Sequence, residues 1–90
     1  MSYSVKLSPH AARAYKQLDR GSQPAIRTAL DTLPRHPLAG PKIKRLKGRL
    51  HDYYRYRVGD YRIVYAVTPQ EHIVYVDYIQ HRKDIYRSIQ

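Results

Sequence analysis

Arg55, Arg57 and Arg62 fall within Leu50 to Thr68, LHDYYRYRVGDYRIVYAVT, where two alternating runs face each other across Gly59-Asp60. Glycine at the first central position of a two-residue loop suits a type II′ hairpin turn, and such a turn pairs Val58 with Tyr61. The register that follows sets Arg57 opposite Arg62, Tyr56 opposite Ile63, Arg55 opposite Val64 and Tyr54 opposite Tyr65. Because side chains alternate faces, Tyr54, Tyr56, Val58, Tyr61, Ile63 and Tyr65 form a core face while the three arginines share the other. Like charges directly opposite one another destabilise a sheet, so the expected occupant of the arginine face is an anion.

Other groups capable of chemistry are few. Histidines stand at 10, 36, 51, 72 and 81; most read as ordinary surface or core residues. His81 differs, since it follows the last predicted strand, precedes Arg82, and brings an imidazole, the side chain best suited to proton transfer, to the tail. Glycine-rich phosphate loops, HExxH, Cys/His metal spacings and a nucleophile-elbow serine are all absent from the sequence, which predicts chemistry without metal or other cofactor. Lys44, Arg45, Lys47 and Arg49 in the stretch KIKRLKGR are candidates for substrate phosphate contacts, with a solvated loop as the plainer alternative.

The 90 residues carry 17 Lys plus Arg against 7 Asp plus Glu, a formal net charge of +10 and a pI near 10.1. An even solubilising spread does not describe this charge: between Lys42 and Arg62, eight basic residues face Asp52 and Asp60. A polyanionic partner follows, nucleic acid first. With no cysteine there is no disulfide framework and no thiolate site. No apolar run approaches the ~18 residues that span a bilayer, and Met1 to Lys6 shows no signal segment. A cytoplasmic protein with no membrane partner is expected. Phe and Trp are missing while Tyr occurs ten times, so core aromatics carry hydroxyls that need partners.

The length predicts one domain, residues 1–90, of α+β class: a strand, a helical hairpin, then an antiparallel three-stranded meander forming one sheet with the helices on one face. Tyr3 to Leu7 alternates as a strand. Ser8 caps a helix with Pro9 at its first position, and Ala11, Ala12, Tyr15 and Leu18 give its apolar stripe. Ser22 and Pro24 open a second helix with Ile26, Ala29, Leu30 and Leu33 inward. Pro34 to Pro41 is an extended connector, after which Ile43 and Leu46 anchor a short strand or turn. The turn Thr68-Pro69-Gln70-Glu71, with Thr68 paired to Glu71, puts Tyr65 opposite Val74, Ile63 opposite Val76, Tyr61 opposite Tyr78 and Arg62 opposite Asp77. The last strand runs His72 to Ile79, and the tail is a loop followed by a turn of helix.

YYRYRVGDYRIVYAV followed by YIQHRKDIYR resembles the RelE branch of the RelE/ParE toxin superfamily, with the element order matching over essentially the whole chain. The resemblance implies a toxin of a type II toxin–antitoxin system, a hydrolase that enters the ribosomal A site, cuts messenger RNA and inhibits translation. By the same resemblance a cognate acidic antitoxin restrains it, in a toxin–antitoxin hetero-oligomer. Two basic residues before the turn, an arginine after it, and an arginine and a tyrosine in the tail do the work in that family. Here these positions hold Arg55, Arg57, Arg62, Arg82 and Tyr86, and His81 stands near a tail histidine of some relatives. Arginines replace the lysines common at 55 and 57, and arginine does not deprotonate. The three hairpin arginines therefore suit stabilisation of a pentacovalent phosphate anion. His81 suits acid or base work, Arg82 phosphate contact, and Tyr86 stacking on a base or orienting its ribose, with anchoring of the tail as its structural alternative. Two other functions remain: a ParE-like DNA gyrase inhibitor, and a non-catalytic RNA-binding module that needs only the positive face.

Overall fold

In the computed structural model, which describes residues 3–38, 40–46 and 52–83, strand β1 (Ser4–Leu7) leads into helices α1 (Pro9–Lys16) and α2 (Gln23–Thr32). A 3-10 turn over Leu33–Arg35 and the connector follow, then β2 (Ile43–Arg45), β3 (Tyr53–Val58), β4 (Tyr61–Thr68) and β5 (Ile73–His81). The sheet has five strands in the order β1-β5-β4-β3-β2. Thus the meander has four strands instead of three: Ile43 does anchor a strand, which pairs antiparallel with β3, while β1 returns beside β5 in parallel. The α+β class and the helices on one face stand as expected.

Ser8 caps α1 as its type predicts, accepting the Ala11 N–H on Oγ at 3.0 Å, and the same hydroxyl donates to the Asp77 carbonyl at 2.7 Å. One side chain therefore ties the helix start to β5. Ser22 does not cap α2. Its hydroxyl instead hydrogen-bonds the Asp19 carboxylate, which holds that carboxyl below its usual pKa and closes the interhelical turn together with the Gly21 N–H at 3.1 Å. Ala11, Ile26, Ala29 and Leu33 meet Ile63, Tyr65, Val74, Val76 and Ile79 in the core.

The β3–β4 register is as predicted, residue for residue from Tyr54–Tyr65 to Val58–Tyr61, with Gly59 at φ +58. The β4–β5 register is not. Pro69 locks φ near −65°, whereas a two-residue hairpin loop needs positive φ at its first central position. The chain accordingly uses four loop residues, with Thr68 paired to Ile73 and His72 taking the positive φ of 55. A bulge then places Tyr65 opposite Val76 but Val64 opposite Tyr78, leaving Asp77 as the extra residue. Tyr61 consequently faces His81, not Tyr78, and Arg62 faces Gln80, not Asp77. The last strand runs two residues further than predicted.

Tyr65 shows what the tyrosine-rich core requires. It is fully buried, stacks on Tyr54 at 5.7 Å and 19°, and donates its hydroxyl to the Pro37 carbonyl at 2.6 Å. Burial first, then the neighbouring Tyr54 and Tyr56, pushes its pKa far above the usual 10.0. A folded pKa above the unfolded one means stability that is whole below pH ~10 and is lost as pH rises beyond it. Tyr65→Phe orphans the Pro37 carbonyl at a cost of about 1–2 kcal/mol, a fall in Tm of several degrees at neutral pH. The gap from wild type should narrow above pH ~10 in thermal melts, because the variant has no phenol there to ionise.

Candidate active site

The sheet face turned away from the helices carries the basic groups in cross-strand rows. Arg57, Arg62 and Gln80 form one row and Lys44, Arg55, Val64 and Tyr78 the next. Beyond the end of β5, the Arg82 N–H donates to the Asp60 carbonyl at 2.7 Å, and its Nη1 lies 3.8 Å from Asp60 Oδ1. These contacts fold the start of the tail back onto the hairpin turn. Arg55, Arg57, Arg62 and Arg82 then line one cleft of about 460 Å³ with Gly59, Asp60 and Tyr61.

Within it Arg57 is exposed while Arg55 and Arg62 are half-buried. Burial, and after it the charge of Arg55, lowers the Arg62 pKa from its ordinary value, although a guanidinium remains protonated. The Arg62 Nε donates to Gln80 Oε1 at 3.4 Å, a neutral acceptor. Asp77, the carboxylate expected there from the sequence, accepts from the Tyr53 hydroxyl instead, and raises that phenol's pKa. The row at the hairpin tip thus keeps its positive potential.

His81 is not among the groups lining this cleft. Opposite Tyr61 on the helix side of the sheet, it packs edge-on to that ring at 5.0 Å and 88° and accepts the Lys83 N–H on Nδ1 at 3.1 Å. It lines an adjoining cleft of about 270 Å³ with Asp19 and Ser22, on the other side of Gly59, Asp60 and Tyr61, which line both. Lys44, opposite Arg55, extends the arginine face, while Arg45, opposite Tyr54, alternates away from it. Lys47, Arg49 and Tyr86 lie outside the described residues. Sequence reasoning missed Gln80 and Asp60 as partners of Arg62 and Arg82. The bulge that brings in Gln80 leaves no mark in the residue pattern, whereas Asp60 within the predicted turn was a visible carboxylate.

The family described as the ParE toxin of type II toxin–antitoxin systems, parDE, matches residues 5–86. The chain belongs to that family. It is also 28% identical over 90 residues to a candidate toxin, RelE1, of Methanocaldococcus jannaschii, covering 98% of this chain and 99% of that one. Among solved structures it is similar to a chain of the Mycobacterium tuberculosis toxin–antitoxin complex RelBE2, with TM-score 0.81 and 24% identity over 90% of this chain and 99% of that chain. The archaeal RelE–RelB complex from Pyrococcus horikoshii OT3 gives 0.77 and 27%, over 91% of this chain and 97% of its counterpart. This ParE-family toxin therefore combines the RelE-like fold with a four-arginine cleft at one end of its open face.

Repulsion between Arg57 and Arg62 in the free toxin has a measurable consequence. Arg57→Ala should keep the fold and gain up to about 1 kcal/mol, since a directly opposed like-charge pair is removed from the sheet. Thermal melts should show the gain largest at low ionic strength and shrinking as salt screens the pair.

Proposed function

We propose that this toxin is a metal-independent, ribosome-dependent endoribonuclease, which cuts messenger RNA in the A site through attack of an RNA 2′-hydroxyl on its own phosphate. The observation that supports it is the convergence of Arg55, Arg57, Arg62 and Arg82 on one cleft. The 2′-oxygen bonds to phosphorus as the bond to the 5′-oxygen breaks, leaving a 2′,3′-cyclic phosphate and a 5′-hydroxyl. One proton leaves the 2′-oxygen and one joins the departing oxygen. Between these states the phosphorus bears extra negative charge, and fixed guanidiniums in a partly dry cleft stabilise it more than water does. Arg57 and Arg62 are assigned to that anion, Arg55 and Arg82 to holding the phosphate, and Lys44 to the flanking backbone.

Permanently charged guanidiniums are poor bases, so the protons need another carrier. His81 sits with Tyr61 on the helix side, its Nδ1 already occupied. We therefore give His81 the positioning of Lys83 and the tail, and assign the tail tyrosine, Tyr86, to proton transfer. On ribosomes with a defined A-site codon, wild type should cleave, and the same RNA without ribosomes should stay intact. Arg57→Ala and Arg62→Ala should lower single-turnover cleavage about 10²–10³-fold with melts unchanged or improved. Tyr86→Phe should lose about 10²–10⁴-fold and His81→Gln far less; the opposite ranking returns proton transfer to His81.

The solved RelE–RelB relative is a complex with its partner, and by this reading the present toxin acts in the cytoplasm and is restrained there by a cognate acidic antitoxin. Co-expression of a short neighbouring acidic chain should rescue growth, with association slowing as salt rises. The match to a ParE toxin family keeps the second reading that the resemblance implied, a ParE-like inhibitor of DNA gyrase. Purified toxin that blocks gyrase supercoiling while programmed ribosomes keep their message intact would establish it in place of RNA cleavage.

A further inference from the structure

The open face has a second half that the arginine chemistry does not use. Next to the Lys44, Arg55, Val64 and Tyr78 row, Tyr53 and Tyr75 flank Ala66. The Asp77 bulge turns Tyr78 outward into the same row as Arg55, where an unbroken strand would have sent it into the core. Among the described residues the exposed large hydrophobics are Leu38, Tyr75 at 38% and Tyr78 at 41%, so two of the three tyrosines on this face offer ring surface to a ligand. His10 packs against Tyr78 at 5.1 Å and 72° and restrains that ring from the sheet edge. Val64, between Arg55 and Tyr78, is only 2% exposed, so cation and ring flank a closed apolar floor.

We propose that Tyr75 and Tyr78 form a stacking platform for the bases of single-stranded RNA whose phosphates run along the adjacent arginine rows. Neighbouring strands lie about 4.8 Å apart, which puts Arg55 and Tyr78, two strands removed, roughly 10 Å apart and within the reach of one nucleotide from phosphate to base. Aromatic faces accept every base, and a cationic track beside them fixes the backbone; together they are the usual parts of a single-strand site. Asp77, hydrogen-bonded by Tyr53 on the tyrosine side, repels phosphate and confines the backbone to the arginine side. Continuity with four guanidiniums on a chain of net charge +10 selects a polyanion over a protein as the occupant.

The proposal rests on the arginine cleft holding phosphate, and the test separates the two. The probe is a short single-stranded RNA with every 2′-hydroxyl methylated, so that it cannot be cut, alongside an abasic strand of equal phosphate count, both read by fluorescence anisotropy across a salt series. Tyr75→Ala and Tyr78→Ala should each weaken binding of the base-bearing strand by about 5- to 150-fold. Their salt slope and their affinity for the abasic strand should match wild type. Tyr75→Leu and Tyr78→Leu, which keep apolar cover over the sheet but lack a π face, should behave like the alanine variants, and the phenylalanine variants like wild type. Arg57→Ala should weaken both strands and flatten the salt slope. Loss in Arg57→Ala with full binding in the tyrosine variants overturns the platform and leaves the cleft assignment standing. Equal weakening of both strands by the tyrosine variants also overturns it, and failure of wild type to bind either strand overturns both assignments.

Discussion

The antiparallel register across Gly59-Asp60 decides which side chains of β3 and β4 enter the core and which reach solvent. With Val58 opposite Tyr61, every second residue from Tyr54 to Val58 and from Tyr61 to Tyr65 turns toward the helices, and the arginines must occupy the opposite face. A slip of one residue would drive Arg55, Arg57 and Arg62 into the core, a cost no domain of this size tolerates. Burial of Tyr65 and Ile63 therefore holds the arginines together against their own repulsion. Gly59 at φ +58 allows the turn that sets this register, in a backbone region where an L side chain is strained.

A second constraint acts through β5. The four-residue loop after Thr68 and the extra residue Asp77 displace that strand relative to β4, and the displacement governs the electrostatics of the open face. Arg62 receives a neutral amide from Gln80 instead of a carboxylate. Asp77 moves away to take the Tyr53 hydroxyl, while its backbone carbonyl takes the Ser8 hydroxyl that caps α1. One bulge thus couples the helix start, the tyrosine end of the face and the neutral partner of Arg62 at the arginine end. Bulges beside functional clefts often re-aim side chains in this way.

A core aromatic content made entirely of tyrosine carries a demand of its own. Each buried hydroxyl needs an acceptor, and the Pro37 carbonyl meets that need for Tyr65, tying the proline-rich connector to the sheet. Among the described residues no buried side-chain polar atom lacks a partner. The same residue type serves the surface differently, since Tyr75 and Tyr78 leave their rings partly open beside the guanidiniums. A toxin of a type II toxin–antitoxin system is thereby built on one sheet with a dry aromatic face and a wet aromatic and cationic face.

By itself the sequence determined what local rules govern: the capped start of α1 at Ser8 and Pro9, the helical hairpin, and the complete β3–β4 pairing with its opposed Arg57 and Arg62. Alternation and a two-residue turn leave that pairing no other register. The resemblance of the hairpin and tail motifs likewise pointed to the toxin superfamily that the family match shows. Tertiary structure alone decided the placement of β5. Pro69 excludes the two-residue loop locally, but the residue pattern of a strand does not say where a bulge will form, and the bulge at Asp77 is what lets Val74, Val76 and Ile79 all reach the core. That choice placed Tyr78 on the open face, gave Arg62 its amide, and seated His81 beside Tyr61, because a change in the count of residues between paired positions turns every later side chain of the strand to the other face.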